Sequence, residues 1–154
     1  MLKGKEEYNR RIAVARPVQL VIITHELLLE FLEIGIEGFE EGDMEKFYFG
    51  VNKAKSALAE LMDGIDHDNE IGKGLYELYL YAGERLNKAY FAKLKEVAEE
   101  IKEMFEVLLE GWRGIEDTPD NRAMGPQVVA GLTYGRGGEL SEYVEGDEGG
   151  GFRA

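Results

Sequence analysis

His25 is followed at once by Glu26, the opening of a helical zinc-hydrolase pattern. In that pattern two histidines four residues apart share a helix face and the glutamate serves as base. The second ligand is missing, because residue 29 is leucine. Carboxylate metal sites in helical bundles instead place a glutamate three residues before a histidine. Residue 22 is isoleucine and residue 64 is glycine, so neither His25 nor His67 has that partner. His25 is therefore expected to be a semi-buried helix residue. Asp63, Asp66, His67, Asp68 and Glu70 crowd one joint without the spaced ligands of a calcium loop. The stretch from Gly135 to Gly138 lacks the following Lys-Ser/Thr and the strand–helix setting of a phosphate loop. Ser56 and Ser141 have no base in view. There is no cysteine, hence no thiolate nucleophile, thiolate metal site or disulfide. The expectation is no catalytic residue, no metal and no cofactor.

Binding chemistry is better represented. The segment Ile71–Tyr90 reads as a helix with more apolar surface than one packing contact requires. Ile71, Leu75, Leu78, Tyr79, Ala82, Leu86 and Ala89 recur at helical spacing and suffice to bury one face. Tyr76 and Leu80 lie to one side of that stripe with Gly83 beside them, and Tyr81 lies on the opposite flank. Apolar area beyond the core stripe suits a partner surface, and tyrosine combines apolar area with a polar tip. Ile71, Leu75, Tyr76, Tyr79, Leu80 and Gly83 are the candidate partner-binding residues. The competing reading is that the tyrosines rim the core.

The elements that must carry this surface are all helical. Among 154 residues, 44% are hydrophobic, enough for the core of one domain. Residues 1–16 form a short arm in which Lys3, Lys5, Arg10, Arg11 and Arg16 outnumber Glu6 and Glu7. It either lies against the acidic body or frays. Pro17 opens a helix running to Glu40 whose apolar residues cover most of its circumference, so it should be the most buried. Gly42 ends it and Asp43 caps the next helix, which carries Met44, Phe47, Tyr48, Val51, Ala54, Leu58, Leu61, Met62 and Ile65 on one face. Asp68 or Asn69 caps the third. A fourth, from about Ala92 to Arg113 and closed by Gly114, has a stripe of Leu94, Val97, Ala98, Ile101, Met104, Phe105, Leu108 and Trp112. Four amphipathic helices with short connections predict an all-α, antiparallel up-and-down four-helix bundle over residues 17–116. Residues 117–154 are rich in glycine and poor in apolar residues. They are expected to be a mostly flexible tail, the alternative being that Leu132–Val144 folds back onto an exposed groove of the bundle.

A net charge of −13 and a pI near 4.6 argue against nucleic acid and anionic membranes as partners. No uncharged apolar run approaches the ~18 residues of a membrane span, and no signal-peptide core is visible. A cytoplasmic protein is expected.

Several stretches between about residues 12 and 113 resemble the FliS family, the flagellar export chaperones that bind flagellin. Ile12, Ala15, Pro17 and Leu20 fall where that family has valine, then Thr-Ala-Ser-Pro, then leucine, and Phe31 with Leu32 closes the first helix's signature. Glu41, Gly42, Asp43, Glu45, Lys46, Lys53, Ala54, Glu60 and Leu61 resemble the second helix. The most specific match is Ile71 and the run Leu75–Tyr81, with Arg85, Leu86 and Ala89. Val14 and Arg16 depart from the pattern and remove the usual hydroxyl cap. His25 stands where tyrosine is common, Leu27 where glycine is, and Glu7 where the arm has a tyrosine. The glycine-rich tail is no part of the pattern. The resemblance implies a non-enzymatic cytoplasmic chaperone that holds the C-terminal segment of flagellin, prevents its premature polymerisation and aids its delivery to the flagellar export apparatus. The alternative is an adaptor or chaperone for another secreted or regulatory flagellar protein. Either the basic arm or the tail would cover the groove in the absence of a client.

Overall fold

Pro17 sits in the first turn of the longest helix, where its missing N–H leaves no bond unmade. The Arg16 N–H donates to Gln19 Oε1 at 2.8 Å, the reciprocal half of a capping box, while Arg16 has no hydroxyl to accept from the helix's first N–H groups. The structure, a computed structural model, describes residues 2–116. Among them are five helices and no strand: α1 (Lys5–Ala13), α2 (Pro17–Glu40), α3 (Met44–Asp63), α4 (Glu70–Ala92) and α5 (Lys95–Glu116). The tail expected from residue 117 onward lies outside the described residues.

The joints follow from local chemistry. Gly42 takes φ +77° just past α2, a conformation that favours glycine. Asp43 then accepts from the Lys46 N–H at 3.1 Å, and the ammonium of Lys46 is held by Glu41 at 2.8 Å. Asn69 caps α4 by accepting from the N–H groups of Ile71 and Gly72. α4 ends without glycine or proline: Lys93 itself adopts the left-handed conformation (φ 56°), and the Leu94 N–H returns to the Ala89 carbonyl at 3.0 Å. This shifts the last helix. It begins at Lys95 rather than near Ala92 and continues through Gly114, which therefore does not close it.

α2 packs against α3 and α5, α4 packs against the same two helices, and α1 lies on α2. α2 is buried along much of its length, as its apolar circumference requires. It meets α3 at a crossing of glycines: a Cβ on Gly50 would lie 2.4 Å from the Gly35 nitrogen and 2.5 Å from the Phe31 carbonyl oxygen. That approach brings Phe49 and Ala57 of α3 into the core beside Phe47, Val51, Ala54, Leu58 and Leu61. The Phe49 and Phe31 rings meet edge to face at 6.1 Å. A smaller cluster of Ile36, Ala89, Val97 and Ala98, with Leu94 against it, closes the far end of α2. The basic arm is not frayed. Ile12 is buried in the core, Tyr8 donates to Glu30 at 2.8 Å, and Arg11 grips Glu26 through two hydrogen bonds at 2.6 and 3.0 Å.

His25 is fully buried rather than semi-buried. Its Nδ1 lies 2.8 Å from the Val21 carbonyl, and its ring is surrounded by Tyr79, Phe105 and Trp112. Nε2 has no hydrogen-bond partner among the described residues. Burial among aromatics disfavours the imidazolium and pulls its pKa from 6.5 down to about 4, with the Val21 bond opposing weakly. The unfolded chain therefore binds this proton first as pH falls, and stability drops between pH 6.5 and 4. The loss should reach about 2 kcal/mol by pH 5. Urea unfolding at pH 7 and 5 checks this: His25→Phe should flatten the decline, and an equal decline in the variant would assign it to other groups.

Candidate functional site

The seam between α3 and α4 is walled by two matching strips. Tyr76, Leu80, Gly83, Asn87 and Tyr90 recur along α4, and Tyr48, Asn52, Lys55, Ala59 and Met62 recur along α3, both at spacings of four and three. Contacts fix how they face. At one end Tyr76 and Met62, with Ala59, Ile65, Asp63 and His67, line a cavity of about 310 Å³. The His67 and Tyr76 rings meet edge to face at 4.5 Å. Midway, Leu58 Cδ2 lies 3.5 Å from where a Cβ on Gly83 would stand. At the other end the Tyr48 and Tyr90 rings are 4.8 Å apart, and Lys55 Nζ lies 5.4 Å from the Tyr90 ring centre. From Tyr76 to Tyr90 the seam runs about 21 Å, at 1.5 Å per helical residue.

The six candidate residues separate in this frame. Ile71 is 63% exposed in the first turn of α4 and Leu80 is 43% exposed on the seam. Tyr76 and Leu75 are half-buried, and both pack on the core. Gly83 is half-buried and open toward the seam. Tyr79 is corrected: it is fully buried and stacks on Phe105 at 6.0 Å, so it belongs to the core and not to a surface. Burial pushes its phenol pKa up, so it stays neutral. The α3 wall was not anticipated. Tyr48 and Met62 read as core from their spacing, Ala59 and Lys55 carry no apolar signal, and Tyr90 and Phe91 fall where the third predicted helix gives way to the fourth.

Tyr81, on the opposite flank, is committed elsewhere. Its hydroxyl donates to Glu100 at 3.1 Å, and Arg85 donates to the same carboxylate at 2.8 Å, tying α4 to α5. The Arg85 guanidinium and then the Tyr81 hydroxyl hold the Glu100 carboxyl below its ordinary pKa. A second cleft, about 420 Å³, lies where α1, α2 and α5 meet. There Arg11 and Arg113 both converge on Glu26 above Ile22 and Ile23. Among the described residues no three His, Cys, Asp or Glu side chains are grouped as metal ligands. Of the acids around His67, Asp66 accepts from the Asp68 N–H at 2.9 Å.

The described residues form long packed helices with a tyrosine-rich seam between α3 and α4. The family model for the flagellar protein FliS matches residues 3–119, and the chain belongs to that family of flagellar secretion chaperones. No match was found among curated proteins. No helix among the described residues is long and apolar enough to cross a membrane.

Proposed function

We propose that this chain is a cytoplasmic export chaperone that holds the C-terminal segment of flagellin, prevents its premature polymerisation and aids its delivery to the flagellar export apparatus. α2 to α5 act as an antiparallel four-helix bundle, and the client lies as an amphipathic helix along the α3–α4 seam. The observation that carries this reading is the seam itself: half-open, lined along its length by Tyr76, Leu80, Met62, Tyr48 and Tyr90, and long enough for four turns of a client helix. Exposed Ile71 and Leu80 on α4 extend the apolar contact beyond the seam floor. A client that folds as it binds loses conformational entropy, so it needs a large apolar interface.

Calorimetric titration of the full chain with the C-terminal segment of flagellin from the same organism tests this. Tight one-to-one binding with a negative heat-capacity change is expected. Silence toward flagellin, with binding of another secreted flagellar protein, would replace this reading by the adaptor one.

The α1 arm covers Ile22 and Ile23 of α2 rather than the α3–α4 seam. A client that wraps the bundle would use that face too. Deleting residues 1–16 should then tighten binding several-fold by removing a competitor for α2. Unchanged affinity would assign α1 to the fold alone.

A further inference from the structure

Several lysines are held by acids of neighbouring turns and helices. Lys46 faces Glu41 and Glu37, Lys95 faces Glu40, and Lys102 faces Glu33. Lys55, Lys73, Lys88 and Lys93 make no ion pair with a described residue, although the chain carries a net charge of −13. Lys55, Lys88 and Lys93 fall at the Tyr90 end of α3 and α4 in chain position, and Lys73 in the first turns of α4. Lys55 lies over the Tyr90 ring, and Lys88 and Lys93 flank Tyr90 in sequence, both exposed. The same end of the seam is aromatic. The Tyr48 and Tyr90 rings line it, and Phe91, 76% exposed, lies 5.0 Å from Tyr90. A partner for this end should therefore be apolar on one side and acidic on the other.

The chain's own sequence contains such a segment. Glu139–Glu148 carries Glu139, Glu142, Glu145, Asp147 and Glu148 and no basic residue. Leu140, Tyr143 and Val144 recur within it at spacings of three and four. We infer that residues 139–148 dock on the Tyr48–Tyr90 end of the α3–α4 seam, with Leu140, Tyr143 and Val144 on its apolar floor and the acids against Lys55, Lys88 and Lys93.

Chain geometry permits it. α5 runs opposite to α4, since Tyr79 stacks on Phe105 while Arg85, further along α4, reaches back to Glu100. Glu116 therefore ends α5 at the Tyr76 end of the seam. Residues 117–138 lie between, and at about 3.3 Å per residue they reach well beyond the ~21 Å of seam. Attachment raises the segment's effective concentration to the millimolar range, so weak contacts suffice in cis. The same segment of a second copy is present only at the protein's own concentration, which is why the occupant is the chain's own tail. The consequence is a seam occupied by a replaceable internal ligand, whatever the external client.

The absence of native cysteine allows a direct test in the full chain without any client. Ser141→Cys is paired with Asn87→Cys, which is exposed on the seam, or with Val107→Cys, 70% exposed on the outer side of α5. A short bismaleimide should join the Asn87 pair within one molecule at least about fivefold faster than the Val107 pair. Changing Lys55, Lys88 and Lys93 together to glutamate should erase that preference. Equal rates for the two pairs would overturn the inference. Products formed only between molecules, rising with protein concentration, would overturn it too and give the seam to a second copy. No flagellin enters the experiment, so its failure leaves the chaperone reading to be judged separately.

Discussion

Gly50→Ala is expected to destabilise the protein by about 3 kcal/mol, although alanine is the better helix former. An added Cβ would lie 2.4 Å from the Gly35 nitrogen, 2.5 Å from the Phe31 carbonyl oxygen and 2.6 Å from Gly35 Cα. All three are backbone atoms of α2, so no side chain can rotate away. The helices must separate, and with them the contacts of Phe31, Phe47, Phe49 and Val51 loosen. The propensity gained is at most about 1 kcal/mol and does not offset this. Gly74→Ala is the matched control, because nothing lies within 4 Å of a Cβ there. It should leave stability unchanged or raise it by up to about 1 kcal/mol. Urea unfolding of both variants decides. A Gly50→Ala protein as stable as the parent would show that α2 and α3 are not held this close.

The glycine crossing also marks what the sequence disclosed and what it withheld. Pro17, Gly42, Asp43 and Asn69 act through local chemistry, so the bounds of α2 and the starts of α3 and α4 are legible from residue types alone. The close approach at Gly50 is a tertiary fact, and without it Phe49 and Ala57 look like the wrong face of α3. Lys93 hid the end of α4, because a lysine in the left-handed conformation carries no sequence signal. α1 is short and has few apolar residues. It is held by partners on α2 such as Glu26 and Glu30, which no local pattern reveals. At the candidate site the two stripes of α4 differ by one residue step. Spacing shows that both exist but not where the core ends, and Tyr79 fell on the buried side while Tyr76 and Leu80 did not. The α3 wall went unseen because a seam is a property of two helices, and one of its residues is lysine.

Leu80→Asp combined with Gly83→Gln should weaken binding of the flagellin C-terminal segment at least about 100-fold, near 3 kcal/mol, while the fold is retained. The two changes act differently on the same strip. Aspartate places a charge where an apolar client face would desolvate it without a partner. Glutamine fills the opening that Gly83 leaves beside Leu58. Neither change forces the core. Leu80 is 43% exposed, and a Cβ at Gly83 would meet only Leu58 Cδ2, at an ordinary contact distance of 3.5 Å. Glutamine also favours the helix over glycine, which offsets part of the packing lost at Leu80. Calorimetry for affinity and urea unfolding for stability must be read together. Lost binding with stability kept within about 1 kcal/mol places the client on the α3–α4 seam. Unchanged affinity in a folded protein would move the client to the α1–α2 face, where Arg11 and Glu26 now hold the arm.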